Sequence, residues 1–199
     1  MTLRQTIRLQ ISGAALPLIG FGVAINASIG LITAALKIPL YLDSIGTVLV
    51  AALCGPWAGM LCGVTSNVMA SALGSAMMIF FAPVSCLIGA FTALLARLGC
   101  FGRWYLAVPG GFVQGFLAAL VSAPIAALVS GGTMMAGTDA LVMLFRGLGN
   151  STLRSVFYQG LVSDPLDKAL TYLFVFLILQ NLPERILSRF PGPVQKKSE

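Results

Sequence analysis

The sequence predicts an all-α integral membrane protein, a single membrane domain of six transmembrane helices with both the N- and C-termini cytoplasmic. Composition is the first observation behind this. Of 199 residues, 58% are hydrophobic and 9% charged, and the mean hydropathy is +0.95; a soluble domain is roughly 45–50% apolar and about 25% charged. The second is a series of apolar blocks, at 11–36, 44–82, 84–98, 106–130 and 165–182, on the scale of the ~20 residues that cross a bilayer. The third is charge placement. With the N-terminus inside, Arg4, Arg8, Arg97, Arg103, Arg185, Arg189, Lys196 and Lys197 fall inside against Glu184 and Glu199. Outside, Lys37, Arg146, Arg154 and Lys168 are balanced by Asp43, Asp139, Asp164 and Asp167. All the excess positive charge is then cytoplasmic, as the positive-inside rule requires. Five spans would leave one basic terminus on the wrong side.

The first helix, 11–36, is longer than the roughly 7–15 residues of a signal-peptide core and reads as a retained span. KIPLYLDSIGTVL, residues 37–49, follows it. Lys37 leaves the first helix at its cation-tolerant C-terminus, Asp43 or Ser44 is placed to cap the second helix, and Pro39, Tyr41 and Leu42 shape a short rigid flap. The block 44–82 is too long for one crossing, and Cys54-Gly55-Pro56-Trp57 supplies the turn that divides it into 44–54 and 57–75.

In the third helix Gly59, Gly63, Asn67, Ser71 and Ser75 recur every four residues, beside the row Cys62, Ser66, Ala70 and Gly74. The fourth helix spans 80–98. The fifth, 106–130, repeats the device with Gln114, Ala118, Ser122, Ala126 and Ser130 beside Gly111, Gly115, Ala119, Ala123 and Ala127. Small residues in such rows let helix backbones approach closely in lipid. Asn67 and Gln114 cannot be left bare in hydrocarbon; each pairs with a neighbouring helix or faces a polar cavity.

Residues 131–163 are too long for an idle connection. Leu153, Val156, Phe157 and Leu161 recur at helical spacing, with Arg154, Tyr158 and Gln159 on other faces, which predicts short helices at the outer interface, as a lid or as an anchor. The sixth helix, 164–182, opens with SDPLDK: Asp164 is placed to N-cap it, Pro165 suits its first position and Asp167 its first turn. Lys168 is out of place at a helix N-terminus. It either pairs with Asp164 or meets a ligand carboxylate or phosphate.

Several chemistries are excluded. The chain has no histidine, and Cys54, Cys62, Cys86 and Cys100 have no metal-site spacing, so no metal site and no cofactor is expected. Phosphate-loop, nucleophile-elbow and HExxH motifs are missing, and no acid is expected within a span, so the chain is read as a non-enzyme with no energy coupling of its own. No basic helix or basic and aromatic interleaving points to nucleic acid; the basic tail suits anionic lipid at the membrane surface. Met77, Met78, Met134 and Met135, with Phe80, Phe81 and Phe157, are either ordinary packing or the lining of an adaptable apolar pocket for a largely apolar or flat ligand, tetrapyrrole-like or flavin-like.

In size and topology, in KIPLYLDSIGTVL at the first outer loop, in GPWAGMLCGVTSN after the second segment and in DPLDKALTYL ahead of a basic tail, the chain resembles the substrate-binding S components of energy-coupling factor (ECF) transporters. The resemblance implies an S-component-like bundle in a bacterial cytoplasmic (inner) membrane. It would bind a vitamin or related micronutrient from outside and deliver it through a transmembrane T component powered by two ATPase subunits. It implies a ligand site at Tyr41, Asp43, Asn67, Ser71, Gln114, Asn150, Arg154, Tyr158, Gln159 and Lys168. The family's AxxxA docking pattern on the first helix is replaced here by Gly20, Ala24 and Ser28. A membrane sensory or scaffold module and a passive facilitator for a small solute are the alternative functions.

Overall fold

The computed structural model describes residues 11, 13–134 and 136–190. Arg4, Arg8, Met135, Lys196, Lys197 and Glu199 lie outside the described residues. Within them the chain forms eight α-helices and two short 3-10 turns, at Ala76–Phe81 and Cys100–Gly102. The α-helices are α1 (Ala15–Ala35), α2 (Ile45–Cys54), α3 (Pro56–Ala72), α4 (Ala82–Arg97), α5 (Trp104–Ser130), α6 (Asp139–Gly147), α7 (Thr152–Asn181) and α8 (Glu184–Leu187). Three helical stretches, Ala15–Ala35, Ala76–Arg97 and Trp104–Ser130, are long and apolar enough to cross a membrane. They point to a multi-pass membrane protein.

The short second segment has a physical explanation. Every residue of α2 is buried, and the helix is packed between α1, α3, α4 and α7. A helix that is apolar all round belongs in the centre of a bundle. Gly55 ends it at φ 98° and Pro56 begins α3, so the Gly-Pro turn works as its chemistry requires: glycine supplies the left-handed backbone and proline needs no partner for a first-turn N–H.

Close backbone approach at the small-residue rows organises the rest. A Cβ added at Gly46 would collide with the Gly22 carbonyl, joining α2 to α1, and one at Gly89 would meet the Gly59–Met60 backbone, joining α4 to α3. The most extensive helix pair is α5 with α7. There, a Cβ at Gly111 would collide with the Lys168 carbonyl, and one at Gly115 with Pro165 and the Asp164 carbonyl. The row on α3 is shorter than its sequence pattern, because the helix ends at Ala72 and Gly74 turns away at φ 115°.

The last third of the chain corrects the sequence reading. Helix α7 is continuous from Thr152, where the Ser151 side chain accepts from the Arg154 N–H, to Asn181, with Pro165 inside it. No helix starts at Asp164, so neither Asp164 nor Asp167 is a cap. The 131–163 segment is accordingly not a free lid: it comprises a loop, the short α6 and the opening turns of α7. Proline is tolerated within helices whose neighbours satisfy the freed backbone groups, and α5 likewise contains Pro109 and Pro124.

The large exposed side chains of α7 include Val162, Leu166, Leu170, Phe174 and Leu177, while Gln159, Asp164, Asp167 and Lys168 are buried. On α3, Leu61, Val68 and Met69 are exposed and Ser66 is buried. Between residues 159 and 179, α7 is apolar outside and carries its charges inside. That is the reverse of a soluble amphipathic helix, and it suits an apolar solvent.

Candidate functional site

The loop 37–44 is held at several points. The Thr33 hydroxyl donates to the Tyr41 carbonyl at 2.8 Å, and the Thr138 hydroxyl donates to the Tyr41 phenol at 2.9 Å. The Asp167 carboxylate accepts from the backbone N–H groups of Tyr41 at 3.1 Å and Leu42 at 2.6 Å. Its other oxygen accepts from the Lys168 ammonium. Gly137 lies so close to the Lys37 and Ile38 carbonyls that a Cβ there would overlap them. Lys37 and Leu42 occupy the left-handed region at φ 53° and 50°. Such a conformation costs a side chain roughly 1–2 kcal/mol, and it persists where the surroundings over-determine it.

Behind this strap lies a cavity of about 860 Å³, its open mouth included. Thr47 of α2, Gly63, Ser66 and Asn67 of α3, Ser85 and Ile88 of α4, Ala118 and Ser122 of α5, and Gln159, Asp164 and Lys168 of α7 line it, with Tyr41, Asp43, Ser44, Met78, Phe81, Met134 and Asp139. The cavity runs from the bundle end that carries the 36–44, 73–81 and 131–151 connections to the middle of the helices, where Gly63, Ala118 and Lys168 lie. A second cavity of about 840 Å³ opens beside it between α1 and α3, sharing Tyr41, Asp43, Ser66, Asn67, Met78 and Met134.

The polar groups around the site fall into bonded and unbonded sets. Asn26 of α1 donates to Thr47 and Ser66 at 2.9 Å each and accepts from the Gly46 N–H at 2.7 Å, which ties three helices together. Asn67 donates to Ser85 at 2.9 Å, and the Ser122 hydroxyl donates to Asp164 at 3.3 Å. Asp139 accepts from the Met134 N–H at 2.9 Å. In contrast, the Ser44 Oγ and Gln159 Nε2 are buried without a hydrogen-bond partner among the described residues. Burial pushes the Asp43 carboxyl above the usual carboxylate range, against the pull of the Lys168 ammonium. The Tyr41 phenol is also pushed up, by burial and then by the nearby carboxylate of Asp164.

Five of the ten expected ligand residues, Tyr41, Asp43, Asn67, Gln159 and Lys168, come together at this cavity. The other five do not line it. Gln114 is fully buried in a packing network, its Oε1 accepting from the hydroxyls of Tyr172 and, at 3.1 Å, Thr92. Ser71 bonds the Ala76 carbonyl at 3.0 Å, and Asn150 bonds the Phe145 carbonyl at 3.0 Å after α6. Arg154 is exposed, and Tyr158 packs edge-on against Phe145. Gly20, Ala24 and Ser28 form an exposed row on α1.

Two assignments change. Ser44 precedes α2, but its side chain makes no cap bond, and Asp43 faces the cavities. Lys168 is paired with Asp167 rather than Asp164. Sequence reasoning passed over Asn26, and it took Asp164 and Asp167 for caps although Val162, Leu166 and Leu170 place them on the inner face. Both acids lie well inside a continuous helix rather than at its start. Of the apolar residues expected at a pocket, Met78, Phe81 and Met134 line it, whereas Met77 and Phe80 are exposed.

No family model, curated protein or solved structure matches this chain.

Proposed function

We propose that this protein is the substrate-specificity subunit of an ECF-type uptake transporter. It crosses a bacterial cytoplasmic membrane six times and binds a vitamin or related micronutrient in the strapped cavity from the outer side. It then hands the solute to a T component driven by two ATPase subunits. The observation that carries this reading is the inside-out bundle whose polar residues converge on one cavity beneath a loop tied down by Asp167. A buried polar cavity is costly unless it is occupied or bonded, and a concave site that joins apolar walls to convergent polar groups suits a small molecule. The exposed row Gly20, Ala24 and Ser28 supports a docking face for the T component, since small residues permit close helix approach in lipid.

Native mass spectrometry of the detergent-purified protein tests the binding step. A small molecule retained at about 1:1 is expected, its occupancy falling in Asp43→Asn and Tyr41→Ala. Coexpression with T and ATPase subunits should yield a complex with ATP-dependent uptake. A protein that binds no metabolite and associates with neither subunit is not a transporter subunit. Uptake into liposomes by the protein alone would make it a facilitator.

A further inference from the structure

The charged side chains lining the main cavity are Asp43, Asp139, Asp164 and Lys168, three carboxylates to one ammonium. That ammonium has its direct ion pair with Asp167, a fully buried residue outside the lining whose second oxygen holds the loop. Asp139 is engaged by the Met134 N–H, and Asp164 receives only a long bond from the Ser122 hydroxyl. The cavity therefore presents three carboxyl groups to one ammonium, and a bound cation would favour their ionised forms. A second observation is independent of the carboxylates. Gln159, 4% exposed and lining the same cavity, has an Nε2 donor with no partner among the described residues. Such a donor demands an acceptor. Between these polar points the wall is apolar, with Met78, Phe81, Val84, Ile88 and Val156.

We infer that the cavity's ligand is a small organic cation: an apolar body with an ammonium or amidinium head directed to Asp43 and Asp164, and a hydrogen-bond acceptor for Gln159. This deepens the proposed function and rests on reading the cavity as a solute site. Lys168 has a structural part here, since it neutralises Asp167 and leaves Asp43 and Asp164 to the ligand. An anionic ligand would meet the two carboxylates without a free cation in the lining to compensate. In a site of low dielectric, that mismatch decides affinity.

Three probes of nearly one shape separate the charges: benzamidinium, benzamide and benzoate. Their binding to the full-length protein in zwitterionic-lipid nanodiscs is measured by equilibrium dialysis, with partition into empty nanodiscs subtracted. Benzamidinium should bind at least roughly tenfold more tightly than benzoate, with benzamide between them. In Asp43→Asn and Asp164→Asn the preference for the cation should shrink while benzamide is retained, which also reports an intact cavity. The inference is overturned if benzamidinium does not bind, if benzoate binds as well, or if the cation preference survives in the double Asn variant. The test requires no T or ATPase subunit. A complex that transports solute but prefers benzoate would therefore sink the cation assignment alone, and cation preference in a protein that assembles with nothing would sink the transporter reading alone.

Discussion

Asp167 links the loop, the cavity and the longest helix through one carboxylate. It is fully buried, accepts two backbone N–H groups from the strap and binds Lys168. Removing one partner of a buried ion pair costs about 3–5 kcal/mol, because the other charge is left uncompensated. Asp167→Asn should therefore lower stability by about 3 kcal/mol, and hydrogen exchange should report the loss first in residues 37–44. Adding Lys168→Met should cost less than the sum of the two single changes, since the pair acts as a unit; simple additivity would show that Asp167 and Lys168 are energetically separate. Asp43 behaves differently. Its carboxyl is raised by burial, so the fold favours its neutral form. That stability is fully present below the unfolded value of about 3.9 and is lost as pH rises through the folded value. In ligand-free protein, the stability of Asp43→Asn relative to the native chain should accordingly improve as pH rises above about 4. A pH-independent difference in melting temperature would contradict the raised carboxyl. Tyr41 and Asp43 were legible because they interrupt an oily sequence. Asp164 and Asp167 were misread because an Asp-Pro pair has a sufficient local explanation as a helix start, and only the apolar spacing of Val162, Leu166 and Leu170 argues otherwise.

The contact of α5 with α7 sets the width of the cavity. Gly111 and Gly115 permit backbone contact along the stretch of α7 that carries Asp164 and Lys168. Here the sequence was informative, since a repeat of small residues every four positions has few uses in a lipid-facing helix other than close packing. The continuity of α7 was not, because Pro165 stops a helix in water but not one whose neighbours satisfy the freed carbonyl. Nor did the pattern show where the α3 row ends, as Gly74 and Ser75 keep its spacing beyond the helix. Gly115→Ala should destabilise by about 2–3 kcal/mol through overpacking and weaken ligand binding by forcing the helices apart. Gly20→Ala, where nothing lies within 4 Å of the added Cβ, should be neutral or stabilising by up to about 1 kcal/mol. Thermal unfolding of the two variants side by side checks the contrast, and equal losses would mean that the close approach of α5 and α7 is not a determinant of the fold.

Along most of its length α7 turns its polar groups inward, and this bears on the number of crossings of the whole molecule. Three helical stretches qualify for the membrane by length and apolarity, and α7 falls short because of its polar and charged residues. Yet Asp164, Asp167 and Lys168 are all buried, while between residues 159 and 179 the exposed side chains of α7 are Val162, Leu166, Leu170, Phe174 and Leu177. A hydropathy average counts residues without regard to face, so it penalises a helix for charges that lipid never meets. Helix α2, too short to qualify, is buried throughout and needs no lipid-facing surface. If α2, α3 and α7 complete six crossings, the 131–151 connection lies outside and the segment after α7 lies inside. In a Cys86→Ser background, Arg146→Cys should react with an impermeant maleimide added to intact cells, and Arg189→Cys only after the membrane is opened. The buried Cys54, Cys62 and Cys100 should remain silent in both states. Labelling of both introduced thiols from the same side would require an even number of crossings between α6 and α8, which leaves α7 outside the bilayer. The strapped cavity would then be a feature of a different topology, with its mouth no longer assigned by the positive charge at the two termini.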